Sequence, residues 1–139
     1  CQAFKNANLK MNKIVKNQVL FNSDAVYGNS CFLSLGDLYK TDNFIQFDKI
    51  DVPNNACVTD MYVEKNGQET LYVLATVKDS EGFKNMIFTL VDDKLTELFS
   101  FNYSASALSF AKCDNVFYVG LGDADSENAD NGRILKIEH

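Results

Sequence analysis

The sequence predicts an all-β protein made of repeated antiparallel sheets, and three observations support this prediction. Short apolar segments recur along the chain and are separated by turn signals such as Asn66-Gly67. No segment shows a 3.6-residue apolar period over the length of a helix. Turn, strand, polar loop and strand also return in the same order three times, most clearly within residues 116–137.

The predicted strands form three groups after a leading strand at residues 14–21. The first group is expected at residues 25–27, 31–35, 44–47 and 50–52, with a polar stretch at 36–43 and a stop at Pro53. The second group is expected at residues 59–63, 71–77, 86–91 and 95–101, with a polar connection at 78–84. The third group is expected at residues 107–111, 116–121 and 133–137, with a polar loop at 122–131.

The spacing of these groups favours a β-propeller type of repeat. Four short strands in a unit of about 40 to 45 residues are typical of a propeller blade. We therefore expect one unit over residues 1–139, with about three four-stranded antiparallel blades at residues 23–53, 59–101 and 105–139. The alternative is a β-sandwich or open barrel, which gives a similar density of strands.

The repeat does not complete a ring, and this predicts a partner. The pattern opens on what looks like a fourth strand, residues 14–21, and closes on a third strand, residues 133–137. Known rings use about four to eight blades, and a bare strand edge tends to pair with another chain. We expect a partial propeller completed by a second copy, through exchange of strand 14–21, or by another protein chain. A fold that is not a ring is the third alternative.

Two segments of the last group carry a family resemblance. Residues 118–123 (YVGLGD) and 132–137 (GRILKI) resemble blades of the quinoprotein glucose/sorbosone dehydrogenase-type propellers, which often read YVGLGDGG and GKILRI. The sequence departs from them at Ala124-Asp125, where that family usually has glycines. The resemblance implies the blade fold but not the chemistry, because the family's catalytic base is a histidine and the only one here is His139.

Composition excludes some classes of partner. The formal net charge is -6 and the sequence pI is about 4.6, which argues against a nucleic-acid partner because phosphate contacts need clustered Lys and Arg. No apolar run reaches the roughly 18 residues of a membrane-spanning helix, so no transmembrane segment is predicted. No signal peptide is recognised, and we expect a mature, trimmed or recombinant sequence.

Four cysteines and one sequon favour a secreted or cell-surface protein. Cys1, Cys31, Cys57 and Cys113 have no C-x-x-C spacing, and they allow two disulfides with three connectivities. The alternative is buried free thiols, which behave as small hydrophobes. Asn102 begins an Asn-Tyr-Ser triplet and is a candidate glycosylation site.

One loop carries a candidate calcium site. Its oxygen-bearing side chains are those of Asp123, Asp125, Glu127, Asp130 and Asn131. A D-x-D-x-E pattern presents alternate side chains to one centre, and Ca²⁺ takes six to eight oxygen ligands. Asn128 stands where an EF-type loop has glycine, and the alternative is a solvated acidic loop. No other cofactor is predicted.

The sequence gives no catalytic constellation. The lone histidine cannot serve a Ser-His-Asp or Cys-His arrangement, and no glycine pattern for phosphate is present. We expect a non-catalytic protein-binding or assembly module of a secreted or surface β-propeller. The alternatives are a section of a larger propeller enzyme and a carbohydrate-binding propeller. Polar loops of the earlier groups suggest an acidic rim for a basic partner, or simply solvated loops, at Asp37, Asp42, Asp79 and Glu81.

Overall fold

The protein is all-β, as predicted. A computed structural model describes residues 23–34, 36–123 and 127–139, and the predicted leading strand at residues 14–21 lies outside them. The described residues form three antiparallel sheets with no α-helix, and a three-residue 3₁₀ turn, Pro53–Asn55, joins the first sheet to the second. None of the three sheets is closed.

Each sheet is a meander in which strands adjacent in sequence are paired. Sheet A contains β1 (Ser23–Tyr27), β2 (Ser30–Ser34), β3 (Leu38–Thr41) and β4 (Asp48–Ile50). Sheet B contains β5 (Cys57–Glu64), β6 (Thr70–Asp79), β7 (Gly82–Val91) and β8 (Lys94–Tyr103). Sheet C contains β9 (Ser106–Cys113), β10 (Val116–Gly122) and β11 (Ile134–Glu138), so it has three strands where sheets A and B have four.

The strand predicted at residues 44–47 is wrong, and β3 lies instead in the stretch taken as polar. Phe44 has a φ of 58°, which is not an extended conformation. Its amide donates to Thr41 Oγ1 (2.9 Å), and the amides of Ile45 and Gln46 donate to Asn43 Oδ1 (2.9 and 3.0 Å). These local side-chain acceptors satisfy the backbone donors and replace a strand ladder.

The polar connection predicted at residues 78–84 is also wrong in its extent. β6 continues to Asp79 and β7 begins at Gly82, so only a tight turn separates them. Asp79 Oδ1 accepts the amide of Glu81 (2.8 Å), and Lys78 Nζ lies 5.8 Å from the centre of the Phe83 ring. Lys78 pairs with Phe83 and Asp79 with Gly82 in the ladder of β6 and β7, so these residues belong to the strands rather than to a loop.

Two apolar cores hold the three sheets together, and sheet B contributes to both. Because side chains alternate along a strand, β6 and β7 send one set to each core. The core shared by sheets A and B contains Phe32, Leu38, Ile50, Val58, Leu71, Val73, Met86 and Phe88. The core shared by sheets B and C contains Tyr72, Leu74, Ile87, Phe110, Phe117, Val119 and Leu121. Burial of each large side chain contributes roughly 1.5–3 kcal/mol to folding.

A carboxylate joins the first strands of all three sheets. Asp60 follows a bulge in β5, and its Oδ1 accepts hydrogen bonds from Ser23 Oγ (3.1 Å) and the Met61 amide (2.8 Å). Its Oδ2 accepts the Phe110 amide at 3.0 Å. Asp60 thus links β1, β5 and β9, which start the three sheets.

Buried polar contacts fix the start of each following sheet. Between sheets A and B, Ser34 Oγ donates to Val58 O (3.2 Å). Between sheets B and C, the fully buried Asn85 accepts the Ala107 amide (2.8 Å) and donates to Ala105 O (3.3 Å). Loss of such a partner leaves a buried polar group unsatisfied, so these contacts specify how the sheets pack.

Candidate functional site

The acidic loop between β10 and β11 is organised by its own side chains. The structure describes Asp123 and residues 127–133, and Asp125 lies outside the described residues. Asp123 Oδ2 accepts Asn128 Nδ2 (2.9 Å), and its amide donates to Asn131 Oδ1 (2.5 Å). Asn128, at the position where a calcium loop would have glycine, therefore holds the loop together with Asp123.

Asp130 is engaged by protein partners. Its carboxylate accepts Ser104 Oγ and lies 3.3 Å from Arg133 Nε. Across residues 23–34, 36–123 and 127–139, no group of three or more His, Cys, Asp or Glu side chains is placed to hold a metal ion. The calcium site at residues 123–131 stays a prediction, since Asp125 lies outside that part of the chain.

A polar cleft of about 590 Å³ lies between the β5–β6 turn and the β9–β10 turn. Its lining is Tyr62, Glu64, Lys65, Asn66, Lys112, Asp114 and Asn115. Lys112 Nζ lies 2.5 Å from both Glu64 Oε2 and Asp114 O, and 5.5 Å from the centre of the Tyr72 ring. The hydrogen bond to Glu64 raises the pKa of Lys112. This ion pair ties β9 to β5 beside the cleft.

His139 packs against an aromatic ring. It stacks on Phe99 with 4.8 Å between ring centres, and its amide donates to Asn115 O (2.9 Å). Phe99 in turn meets Phe117 edge to face at 5.3 Å. These contacts place the histidine beside the core of sheets B and C.

The described cysteines are free thiols. Cys31 is buried, while Cys57 and Cys113 are exposed. Burial, followed by the charges of Asp24 and Asp42, raises the pKa of the Cys31 thiol. Two disulfides among four cysteines need a bond between two of these three, and the structure shows none. Cys1 lies outside the described residues.

The other predicted surface residues occupy different places. Asp37 lies between β2 and β3, and Asp79 and Glu81 lie at the β6–β7 turn, so these three share one position in the sheet repeat. Asp42 follows β3 instead, and its assignment to that position is wrong. Asn102 is exposed on β8, and its glycosylation stays a prediction.

The outer edge of β11 is open within the described part of the chain. The Leu121 amide donates to Arg133 O (2.9 Å), and the His139 amide donates to Asn115 O (2.9 Å). In an antiparallel pair the backbone groups of alternate residues point the same way, so odd-numbered residues of β11 face β10. The amides and carbonyls of Ile134, Lys136 and Glu138 therefore point away from the sheet.

Sheet C also turns a face away from sheet B. Leu108, Tyr118 and Ile134 lie on this outward face and are 50%, 42% and 69% exposed. Two glycines of β10, Gly120 and Gly122, lie on this outward face. A Cβ at Gly120 would lie 2.6 Å from Ser109 Oγ, and a Cβ at Gly122 would collide with Leu108 Cδ1. The glycines of the YVGLGD segment thus make room for side chains of β9.

This outward face was not recognised from the sequence. The alternation in β10 holds the signal, because Phe117, Val119 and Leu121 are buried while Tyr118 is exposed. The bulge in β9 that puts Leu108 on the same side cannot be recognised from a similar sequence pattern.

In the comparisons with known proteins, no family model matches the chain, and no curated protein or solved structure matches it. No helix within the described ranges has the length and apolar character needed to cross a bilayer.

Proposed function

We propose that this chain is a non-catalytic protein-binding or assembly module, a partial β-propeller whose third sheet accepts a strand from another chain or a second copy. The observation that carries the proposal is the difference between the sheets. Among the described residues, sheets A and B have four strands, whereas sheet C has three and no described strand pairs with the outward-pointing backbone groups of β11. Exposed strand edges bind extended segments through main-chain hydrogen bonds.

The side chains of β11 suit a further strand. Leu135 and Ile137 are half-buried and pack against the core of sheets B and C. In sheet B the corresponding outer position is filled by β8, whose Phe99 and Phe101 pack against the same core. A strand beside β11 would complete the burial of Leu135 and Ile137 and pair the free backbone groups.

The propeller arrangement is supported by the order of the sheets and by Asp60. All three sheets are meanders, taken in sequence order, and hydrogen bonds from Ser23 and Phe110 to Asp60 bring their first strands together. In a propeller the first strands of successive blades surround the central channel. A secreted or cell-surface location belongs to the same proposal and is supported by the exposed sequon at Asn102.

Binding to the β11 edge is tested with a proline that removes one outward amide. Because the Lys136 amide points away from β10, Lys136→Pro deletes no hydrogen bond inside sheet C. The probe is a synthetic peptide of residues 12–22, whose apolar residues include Ile14, Val19 and Phe21. We expect the unaltered chain to bind this peptide. Lys136→Pro should bind it at least about tenfold more weakly, because the proline removes one backbone hydrogen bond to the peptide.

Lys136→Ala is the matched control, since it removes the same side chain and keeps the amide. It should bind the peptide as the unaltered chain does. Equal binding by Lys136→Pro would contradict the edge proposal, and so would a chain that stays monomeric and binds no peptide.

The polar cleft supports carbohydrate binding as a second candidate. The hydroxyl of Tyr62 and the amides of Asn66 and Asn115 offer the hydrogen-bonding groups that sugars need, with Glu64 beside them. A glycan array of the chain and its Asn66→Ala variant tests this. Retention of a sugar by the chain and its loss in the variant would support it, and an array without signal would reject it.

A further inference from the structure

We infer, on the basis of the proposed assembly function, that the outward face of sheet C docks on the same face of a second copy about a two-fold axis. The surface is distinct from the β11 edge, and its defining residues are Leu108, Tyr118, Ile134, Lys136 and Glu138. The partner is thus another copy of this chain, in addition to any strand taken up at the edge.

The outward face has the composition of a sheet-packing surface. Tyr118 lies opposite Ala111 on β9 and Lys136 on β11, and Gly120 lies opposite Ile134. Leu108, Tyr118 and Ile134 therefore surround Gly120, over which the small Ser109 side chain lies. Large exposed side chains around small ones allow two such faces to interdigitate, as facing sheets do in a sandwich.

The opposite end of the stack, the face of sheet A turned away from sheet B, exposes charged side chains instead of an apolar patch. On the side of sheet A turned away from sheet B, Leu33 is 0% and Cys31 is 7% exposed, and Thr41 is also buried. Asp24, Val26 and Lys49 also lie on that side and are exposed. A head-to-tail contact would set the apolar side chains of sheet C against the exposed charges of Asp24 and Lys49. An isologous contact, in which the same patch serves both partners, sets those apolar side chains on one another.

The charges on the face are self-complementary. Lys136 and Glu138 are exposed neighbours on the same side of β11, with 3.4 Å between Nζ and Oε1. A two-fold axis that lies in the interface and perpendicular to β11 reverses the direction of this strand, so each lysine can meet the glutamate of the other copy. Opposite charges across such an interface fix its register.

The size of the face predicts a reversible dimer. The three strands have eight, seven and five residues and cover about 300 Å² in projection, at about 3.4 Å per residue and about 4.8 Å between strands. Stable interfaces bury about 800 Å² per partner, so this contact belongs to the weak class. We therefore expect dimer formation to depend on concentration over the range of dilution that ultracentrifugation covers.

Sedimentation equilibrium of the unaltered chain and of two lysine variants tests the surface. We expect Tyr118→Lys and Ile134→Lys to weaken dimerisation at least about tenfold, because each buries a charge at the contact. Val91→Lys is the matched control, since Val91 is 55% exposed at the β7–β8 turn of sheet B. It should dimerise like the unaltered chain. A dimer equally stable in all three variants, or a monomer at the highest soluble concentration, would overturn the inference.

A charge swap tests the two-fold arrangement. Lys136→Glu and Glu138→Lys should each weaken the dimer by placing like charges together, and the double variant should restore it. A double variant weaker than both single ones would contradict the symmetry.

The edge proposal can fail without the face proposal. Unchanged peptide binding by Lys136→Pro would refute the edge. A dimer lost in that variant but kept in Tyr118→Lys would refute the face.

Discussion

The two ends of the sheet stack differ in how they meet solvent. At the sheet A end, Leu33 and Cys31 are buried although neither belongs to the core between sheets A and B. At the sheet C end, Leu108, Tyr118 and Ile134 are exposed, and no described strand pairs with the outer edge of β11. Both ends are built from the same meander of short strands. The difference teaches that meanders of short strands can end in a face whose apolar side chains are mostly buried, as in sheet A, or in an exposed apolar face, as in sheet C.

The largest expected effect comes from substituting one residue at each end. Leu33→Ala should lower the free energy of unfolding by about 2–5 kcal/mol, because it leaves a cavity at a fully buried site. Tyr118→Ala should change it by less than about 0.5 kcal/mol in the monomer, because its side chain is largely outside the core. Urea titration of both variants measures this contrast. Equal losses would show that the two ends do not differ.

The next largest expected effect on stability contrasts two aspartates, Asp60 in β5 and Asp24 in β1. Asp60→Ala removes the acceptor for Ser23, Met61 and Phe110, and it should cost about 2–3 kcal/mol, as buried donors lose a charged partner. Asp24 holds the matching position in the similar sequence pairs Ser23-Asp24 of β1 and Thr59-Asp60 of β5, but it is exposed. Asp24→Ala is therefore the control and should cost much less. If the two variants unfolded at the same urea concentration, Asp60 would not be the link between the sheets.

The smallest effect is the pH dependence caused by Asp24. Desolvation, with the nearby Asp60 carboxylate, raises the pKa of Asp24. A raised pKa means that the folded state holds the proton more tightly, so stability falls as pH rises from the unfolded value of about 3.9 through the folded value. Asp24→Asn should thus stabilise the fold at pH 7 by less than about 0.5 kcal/mol, with no gain below pH 4. Thermal unfolding across this pH range measures the difference, and a variant less stable at pH 7 would contradict the assignment.

Most strands could be predicted from the sequence, because alternation and turns are local signals. β10 was found since Phe117, Val119 and Leu121 alternate with outward residues. β3 was missed because its four residues, LYKT, show no clear pattern. The strand expected at residues 44–47 was wrong because apolar side chains suggested burial, whereas Ile45 is 69% exposed.

The contacts that define the candidate sites depend on residues far apart in sequence. Asp60 meets Phe110 across fifty positions, and its bulge in β5 has no sequence signature. The acidic loop was recognised as a polar segment, but its pairing of Asp123 with Asn128 follows from a fold of the loop that composition does not give. Local patterns thus predict elements, while the open end of sheet C emerges only from the packing of the sheets.

Hydrogen exchange at β11 tests most directly whether sheet C ends in an open edge. In the isolated chain, the amides of Leu135 and Ile137 point to β10 and should be protected. The amides of Ile134, Lys136 and Glu138 should exchange at rates near those of unstructured backbone, and added peptide of residues 12–22 should slow them. Protection of all five amides in the isolated, peptide-free monomer would show that the edge is already paired and would contradict the account.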